Sequence, residues 1–230
     1  MTPSRTVPAF VLIPGAGGNA GYWDRLAAEL GRRGYEAVPV DIEQDDPALG
    51  LREYAQVVEQ AIGDREDVVL VAQSLGGFTA PMVRKPVRMI VLLNAMIPLP
   101  GEKPGDWWDA TGSGEARRDS DRAAGRSEEF DMEAHFLHDL DDEARAALFA
   151  GPPPRQVSDT AWDAPCDFDA WPDVPTHVLA GRDDRFFPAD FQQRVAKERL
   201  GIDADFIDGG HLVAVSNPDA VTDKLIGYLG

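Results

Sequence analysis

The sequence predicts an α/β fold in which a doubly wound, mostly parallel sheet of about six strands carries a helical cap. Three features support this prediction. Short runs rich in Val, Ile and Leu recur along the chain, helical patterns separate them, and one long segment interrupts the alternation. Near-continuous apolar runs are typical of parallel strands covered on both faces. Strands that alternate with helices form a doubly wound sheet.

The predicted elements follow in chain order. The strands are Ala9–Ile13, Glu36–Val40, Val68–Ala72, Met89–Leu93, Thr176–Ala180 and, more weakly, Asp205–Ile207. The helices between them are Tyr22–Arg33, Leu51–Ile62, Phe191–Leu200 and Ala220–Leu229. In the first helix, Trp23, Leu26 and Leu30 share one face, which the sheet is expected to cover.

Residues 97–171 contain no good strand and are rich in Gly, Pro, charged and aromatic residues. A connection of this length is unusual in a compact domain and is commonly functional. Short helices are predicted at Met132–Leu140 and Asp142–Phe149, the second ended by Gly151 and three prolines. We interpret residues 97–171 as a helical cap on a core formed by residues 1–96 and 172–230. A surface excursion without a role is the alternative.

Composition excludes several classes of protein. Forty acidic against 22 basic residues give a net charge of −18, which disfavours nucleic acid as a partner. The single Cys166 has no disulfide partner, and no Cys/His cluster predicts a metal site. The apolar run Ala9–Ile13 is too short for a signal peptide or a membrane span. We therefore expect a cytoplasmic protein without a membrane partner.

The strongest local signal surrounds Ser74. An apolar strand leads into Ala72-Gln-Ser-Leu-Gly76, and Phe78–Val83 is predicted to continue as a helix. A serine at the apex of a strand–turn–helix, with small residues two positions before and after it, indicates a nucleophile elbow. The alternative is that Ser74 only caps the following helix.

A serine nucleophile needs a base, and four histidines are candidates. His177 falls inside a predicted strand, and His135 and His138 are expected on a helix surface in the cap. His211 follows two glycines at the carboxyl end of the last strand. Ligands of open α/β sheets bind at this edge, where Ser74 also lies, so His211 is the predicted base.

The acid that orients the base should follow another strand and precede the histidine. Asp183 and Asp184 both satisfy this condition after the strand Thr176–Ala180. Asn94 follows the preceding strand, but it has no charge with which to stabilise an imidazolium. Asp208 lies too close to His211 in the same loop to approach the ring from the opposite side.

A developing oxyanion needs backbone N–H groups directed at it. Leu75, directly after Ser74, supplies one. The glycine-rich loop Ile13–Asn19 can supply the second. This loop lacks the spacing of dinucleotide and P-loop motifs, so a nucleotide cofactor is not expected.

Together these segments resemble the α/β-hydrolase superfamily, in the small capped branch that includes plant methylesterases and cyanohydrin lyases. The resemblance covers nearly the whole chain. Pro14-Gly-Ala16 matches the first loop of the family, with Pro in place of its His, and points to the Ala16 N–H as the second oxyanion donor. Gly181, Asp184 and Pro188 match the acid motif, which favours Asp184 over Asp183. Gly-x-His near the C-terminus matches His211.

The resemblance implies a serine hydrolase that needs no metal or organic cofactor. A lysine follows the catalytic histidine in the lyases, whereas Leu212 stands here, so ester cleavage is the leading hypothesis. Hydrolysis or lysis of another bond, such as carbon–carbon cleavage, and a non-catalytic receptor remain alternatives. We expect a small, mainly apolar substrate, and a homodimer is a further expectation. The substrate pocket is predicted to involve Trp107, Trp108, Phe136 and Leu212. The aromatic residues could instead only attach the cap to the sheet.

Overall fold

Six parallel strands form one sheet in the computed structural model, which describes residues 7–230. The strands are β1 (Ala9–Ile13), β2 (Glu36–Pro39), β3 (Val68–Gln73), β4 (Met89–Leu93), β5 (Thr176–Gly181) and β6 (Ala204–Ile207). Their order across the sheet is β2-β1-β3-β4-β5-β6. The direction of winding reverses at β1, so the sheet is doubly wound.

Successive side chains of β1 are buried in two separate hydrophobic cores, one on each face of the sheet. Phe10 and Leu12 are fully buried on one face, and Val11 and Ile13 are fully buried on the other. The helices in chain order are α1 (Asp24–Arg32), α2 (Leu51–Ile62), α3 (Gly76–Thr79), α4 (Pro104–Thr111), α5 (Ser113–Ala123), α6 (Met132–Phe136), α7 (Asp142–Ala150), α8 (Asp159–Asp163), α9 (Ala189–Leu200), α10 (Val213–Ser216) and α11 (Pro218–Gly227). Residues of α1, α10 and α11 cover the first face, and residues of α2, α3 and α9 cover the second.

The predicted fold class is confirmed, and the strand boundaries agree with prediction to within a residue or two. The helix after Ser74 differs from prediction. It begins at Gly76, and after Thr79 it tightens into a 3₁₀ turn at Ala80–Met82. Pro81 lies in this turn and has no N–H with which to continue an α-helix.

The connection between β4 and β5 contains α4 to α8. The helices predicted at Met132–Leu140 and Asp142–Phe149 correspond to α6 and α7, although α6 ends early, at Phe136. The sequence analysis did not predict α4, α5 and α8. Helix α5 is strongly polar and has no clear apolar face, so periodicity could not identify it. The division into core and cap remains a proposal.

Within residues 7–230, no helix combines the length and apolar composition needed to cross a bilayer.

Candidate active site

Ser74 lies in a sharp turn between β3 and α3 at the carboxyl edge of the sheet. Its φ of 50° is in the left-handed region, where a non-glycine residue costs roughly 1–3 kcal/mol unless its surroundings hold it. Two hydrogen bonds hold it here: the Ser74 carbonyl accepts from the N–H groups of Gly77 (3.0 Å) and Met96 (2.9 Å). This strand–turn–helix geometry is that of the predicted elbow.

Two glycines after Ser74 allow the turn to pack against neighbouring backbone. A Cβ atom on Gly76 would lie 2.8 Å from the carbonyl oxygen of Pro14 and 2.9 Å from that of Ile13. A Cβ atom on Gly77 would overlap the carbonyl oxygen of Met96. Because these neighbours are backbone atoms, they cannot move aside as a flexible side chain could, and the turn requires glycine at both positions.

His211 and Asp184 form a buried pair at the same edge. The Nδ1 of His211 lies 2.8 Å from the Oδ2 of Asp184. The other carboxylate oxygen, Oδ1, accepts from the backbone N–H groups of Phe186 and Phe187, each at 2.8 Å. Asp184 therefore has fixed hydrogen-bond donors on both oxygens, and the carboxylate cannot rotate away from the ring.

Asn94 joins the loops that carry this pair, and its role was not predicted. It follows β4 with a φ of 46° and is fully buried. Its Oδ1 accepts from the N–H of Gly181 (2.7 Å), and its Nδ2 donates to the carbonyls of Gly210 (2.9 Å) and His211 (3.1 Å). A neutral amide suits this position because it needs both an acceptor and a donor. The available signal was its place directly after an apolar strand, at the edge shared with Ser74.

Asp183, His177 and the single cysteine take no part in the His211–Asp184 pair. Asp183 is exposed, and its Oδ2 accepts from the N–H of Gly209 at the long distance of 3.3 Å. His177 stacks on Tyr228 with ring centroids 3.9 Å apart. Cys166 is buried, and burial raises the pKa of its thiol to about 11, so it stays protonated at neutral pH.

The second ring nitrogen of His211 contacts Gln73. The Nε2 of His211 lies 3.1 Å from the amide Nε2 of Gln73, the residue directly before Ser74. Within residues 7–230, no hydrogen bond joins this nitrogen to the Ser74 hydroxyl. The sequence analysis did not predict this contact, because the position of a long polar side chain at a strand end depends on tertiary packing.

The loop after β1 is held from two sides. Gln44 is buried; its Nε2 donates to the carbonyl of Gly15 (2.9 Å), and its Oε1 accepts from the N–H of Gly17 (2.7 Å). The backbone N–H of Arg155, in the connection between β4 and β5, donates to the carbonyl of Gly17 at 3.1 Å. Ala16 lies between these anchors, and Leu75 lies at the start of α3. Gln44 and Arg155 were not predicted as functional residues.

Phenylalanine rings enclose His211. The ring centroids of Phe136, Phe186 and Phe187 lie 4.8, 5.1 and 5.2 Å from that of the imidazole. Phe136 belongs to the connection and was predicted for the pocket. The apolar contacts exclude water from the ring and strengthen its interaction with Asp184.

The other predicted pocket residues differ in their surroundings. Trp107 is fully buried, its indole N–H donates to the carbonyl of Ile97 (3.1 Å), and its ring packs on Phe187. In this structure Trp107 thus attaches α4 to the core, which was the alternative considered for these aromatics. Trp108 is half-buried against Phe186, and Leu212 is half-buried beside His211.

Helix α6 and the residues after it contact the loops that carry Asp184 and His211. The Oδ2 of Asp139 accepts from the N–H of Gly210 at 2.6 Å, and Arg185 donates to the carbonyl of Ala134 at 3.1 Å. His138 is half-buried next to these residues, and burial together with the nearby Arg185 lowers its pKa. The position of α6 and that of the His211 loop are thus coupled.

A buried ionic cluster holds α5 against α6. Asp121 has no exposed surface, and its carboxylate accepts from Arg117 (2.9 Å) and Arg126 (2.9 Å) and lies 3.0 Å from the Nε2 of His135. Burial alone would raise the pKa of Asp121, but the hydrogen bonds from His135 and Arg126 outweigh it and hold the pKa below its usual value. The expectation of a surface His135 is wrong, because this cluster draws the ring inward and leaves it 2% exposed.

An open cleft of about 1000 Å³ lies beside Asp184, between α5 and the residues that follow β5. Ser74 and His211 are not among its lining residues. Its walls alternate in charge and include Asp119, Arg126, Asp183, Arg185, Asp190 and Arg194. No group of three or more His, Cys, Asp or Glu side chains within residues 7–230 is arranged to hold a metal ion.

A doubly wound parallel sheet with a serine elbow beside a His–Asp pair defines the class of α/β-hydrolases. The sequence model of the alpha/beta hydrolase family matches residues 10–224, and the chain belongs to this family. The α/β hydrolase nvfD of Aspergillus novofumigatus (strain IBT 16806) is 27% identical to it, and the alignment covers 97% of both chains.

Solved structures show the same fold. Polyneuridine aldehyde esterase superposes with a TM-score of 0.76 at 17% identity, over 98% of this chain and all of that chain. A pyrethroid hydrolase from Sphingobium faniae JZ-2 gives 0.74 at 19% identity, over 97% of each chain. An extracellular α/β-hydrolase from a Paenibacillus species, described as homologous to tobacco salicylic acid binding protein 2, gives 0.72 at 21% identity, over 96% and 98%. These superpositions show a shared fold, and the family model confirms the predicted resemblance to the α/β-hydrolase superfamily.

Proposed function

We propose that this α/β-hydrolase is a serine carboxylesterase that acts on a small, mainly apolar ester. The observation that carries the proposal is the coincidence at one sheet edge of a left-handed serine and a buried His–Asp pair. Ser74 has a φ of 50°, and the Nδ1 of His211 lies 2.8 Å from Asp184. A strained serine and an oriented imidazole are the two components that nucleophilic acyl transfer requires.

In the proposed reaction the Ser74 Oγ attacks the ester carbonyl carbon, and its proton passes to the Nε2 of His211. Asp184 stabilises the resulting imidazolium through Nδ1. The backbone N–H groups of Leu75 and Ala16 donate to the oxyanion of the tetrahedral intermediate. The intermediate collapses, the alcohol leaves with the proton from Nε2, and an acyl-enzyme remains. Water then attacks the acyl-enzyme with His211 as base, which releases the acid and restores Ser74.

Two observations favour an apolar ester. The rings of Phe136, Phe186 and Phe187 surround the base, so a substrate carbonyl beside Ser74 meets mainly apolar surface. Two of the structural neighbours are described as an esterase and a pyrethroid hydrolase. We further propose that residues 97–171 act as the cap that bounds the acyl and alcohol groups, with Phe136 and Trp108 as the pocket residues.

A fluorophosphonate probe tests the nucleophile, because it phosphonylates only an activated serine. The wild-type protein should be labelled at Ser74 and should hydrolyse p-nitrophenyl esters of short acids. Ser74→Ala should fold, escape labelling and lose activity by a factor approaching the ~10⁶ found for other serine triads.

Ser127→Ala is the matched control, because this serine is exposed on the segment before α6. It should retain both labelling and activity. A Ser74→Ala protein that kept more than a few per cent of wild-type turnover would contradict the proposal. A panel of esters that varies acyl and alcohol size then defines the substrate class, and faster turnover of triglyceride emulsions than of short soluble esters would contradict the small-substrate assignment.

A further inference from the structure

The contact between Gln73 and His211 has no part in the reaction described above. The Nε2 of Gln73 lies 3.1 Å from the Nε2 of His211, the nitrogen that must accept the Ser74 proton. Gln73 is 4% exposed and His211 is fully buried, so water does not compete freely for this bond. Because this contact lies on the lone pair that must accept the Ser74 proton, it affects how easily His211 can act as a base.

The direction of the hydrogen bond follows from the rest of the ring. Asp184 lies 2.8 Å from Nδ1 and, as a carboxylate, can only accept, so Nδ1 carries the proton. In the neutral imidazole Nε2 then has a lone pair and no hydrogen. The Gln73 amide therefore donates to Nε2, because its oxygen at this position would face a second lone pair.

Packing around the amide keeps it in place. A Cβ atom on Gly15 would overlap the Oε1 of Gln73 and would lie 2.7 Å from the Cβ of Ser74. Gly15 is itself fixed, because its carbonyl accepts from Gln44 at 2.9 Å. The Gln73 amide is thus enclosed between the loop after β1 and the imidazole.

We infer that Gln73 is a positioning residue that caps the Nε2 of resting His211 and is displaced when the Ser74 hydroxyl engages this nitrogen. The inference rests on the proposed function. Gln73 and Ser74 are adjacent in the chain, and one lone pair cannot accept a full hydrogen bond from both. The Gln73 amide occupies the lone pair of Nε2 while the proton stays on Nδ1, which is the tautomer that the reaction needs. When a bound ester displaces the Gln73 amide from Nε2, substrate entry is coupled to activation of the serine.

A test that varies pH must account for the titratable groups near the imidazole. Asp184 faces the ring after β5, Asp139 reaches the neighbouring Gly210 N–H, and His138 lies beside Asp139. Tyr22 lies near Asp184, and burial raises the pKa of Tyr22 far above the working range. The phenylalanine rings around His211 contribute no charge. None of these groups changes when Gln73 is replaced.

Nitrogen-15 NMR of the histidine-labelled protein tests the identity of the donor without any activity measurement. The resonance of a neutral Nε2 moves upfield when the nitrogen accepts a hydrogen bond, and a His211→Gln variant assigns it among the four histidines. At pH 8.5 the hydrogen-bonded position should persist in Ser74→Ala and disappear in the double variant Ser74→Ala/Gln73→Met, in which neither donor remains. Loss of the signature in Ser74→Ala, or its persistence in the double variant, would overturn the inference.

The pH dependence of fluorophosphonate labelling tests how the Gln73 hydrogen bond affects His211 as a base. Gln73→Met keeps the length of the side chain but removes the donor. Removal of one hydrogen bond should raise the labelling rate on the alkaline plateau by about 2- to 10-fold and move the midpoint of the acid limb up by about 0.5–1 pH unit. Gln73→Glu, which places an acceptor beside the imidazolium, should move the midpoint further in the same direction.

Gln56→Met, on the exposed side of α2, is the matched control and should leave both quantities unchanged. A lower plateau with an unchanged midpoint in Gln73→Met would show that the amide only fills space, which overturns the inference. Failure to label the wild-type protein would refute the proposed function instead, and the NMR result would still decide whether Gln73 is the donor.

Discussion

Replacement of Asp184 by Asn tests the orientation of the base, and the structure indicates how the variant would fail. The Oδ1 of Asp184 accepts from the backbone N–H groups of Phe186 and Phe187, and its Oδ2 lies against the Nδ1 of His211. An asparagine oxygen would remain at the two backbone donors, because the reverse orientation sets its NH₂ group against both of them. The NH₂ group therefore faces the imidazole.

An NH₂ group beside Nδ1 selects the wrong tautomer of the base. It donates to Nδ1, so the neutral ring carries its proton on Nε2 and has no lone pair for the Ser74 proton. The same exchange in a serine protease lowers kcat ~10⁴-fold, which corresponds to about 5.4 kcal/mol in the activation barrier. We expect Asp184→Asn to lose activity by a similar factor at neutral pH.

The adjacent Asp183 supplies the matched control. It is exposed, and the hydrogen bond that its side chain accepts from the N–H of Gly209 is long, at 3.3 Å. Asp183→Asn removes the same charge one residue away and should change kcat by at most a few-fold. The assay is kcat on one p-nitrophenyl ester for both variants, with circular dichroism to show that each is folded. If Asp183→Asn were the inactive variant, or if Asp184→Asn kept a tenth of wild-type kcat, the reasoning would be wrong.

Three further predictions follow from other contacts. Asn94→Ala should cost about 3 kcal/mol of unfolding free energy in urea titrations and lower kcat at least tenfold, because buried groups of Gly181, Gly210 and His211 lose their partners. An equal loss of kcat in Asn94→Gly would assign the effect to the missing amide. Unchanged kcat in both variants would refute the role of Asn94. Gly77→Ala should destabilise the fold by about 1–3 kcal/mol through overlap with the Met96 carbonyl, whereas Gly114→Ala, near the start of α5, should not lower the melting temperature. Asp121→Asn should cost about 3 kcal/mol near pH 7. Since the folded-state pKa of Asp121 is lowered, this contribution is present above the unfolded value of about 3.9 and is lost as the pH falls through the folded-state pKa, so the difference in melting temperature should shrink in acid.

The sheet and the residues at its edge could be predicted because short-range patterns encode them. In β1 the run Phe10–Ile13 is apolar at every position, and the structure buries each alternate pair on a different face. Ser74 and His211 were identifiable because glycines and strand ends accompany them in the chain. The choice between Asp183 and Asp184 needed the spacing of the acid motif, since both aspartates follow the same strand.

The parts that were not predicted depend on contacts between distant segments. Asn94 was considered only as an acid and set aside for its lack of charge, although its uncharged amide is what bridges Gly181 and Gly210. Helix α5 has no apolar period, because the ionic cluster around Asp121 stabilises its inner side in place of an apolar stripe. His135 was placed on the surface because the groups that bury it, Arg117 and Asp121, belong to α5 and leave no sign in the sequence around the histidine.

The contacts of the connection between β4 and β5 relate pocket shape to the chemistry of the base. Phe136 and Asp139 lie three residues apart, and they reach the His211 ring and the Gly210 N–H respectively. A substrate that displaces Phe136 would therefore also strain the loop that carries the imidazole. Asn94 fixes the other side of that loop from the end of β4, so the loop is held between a rigid support and a helix of the proposed cap. Substitutions around α6 should accordingly alter kcat together with KM, whereas substitutions that only line a pocket alter KM alone.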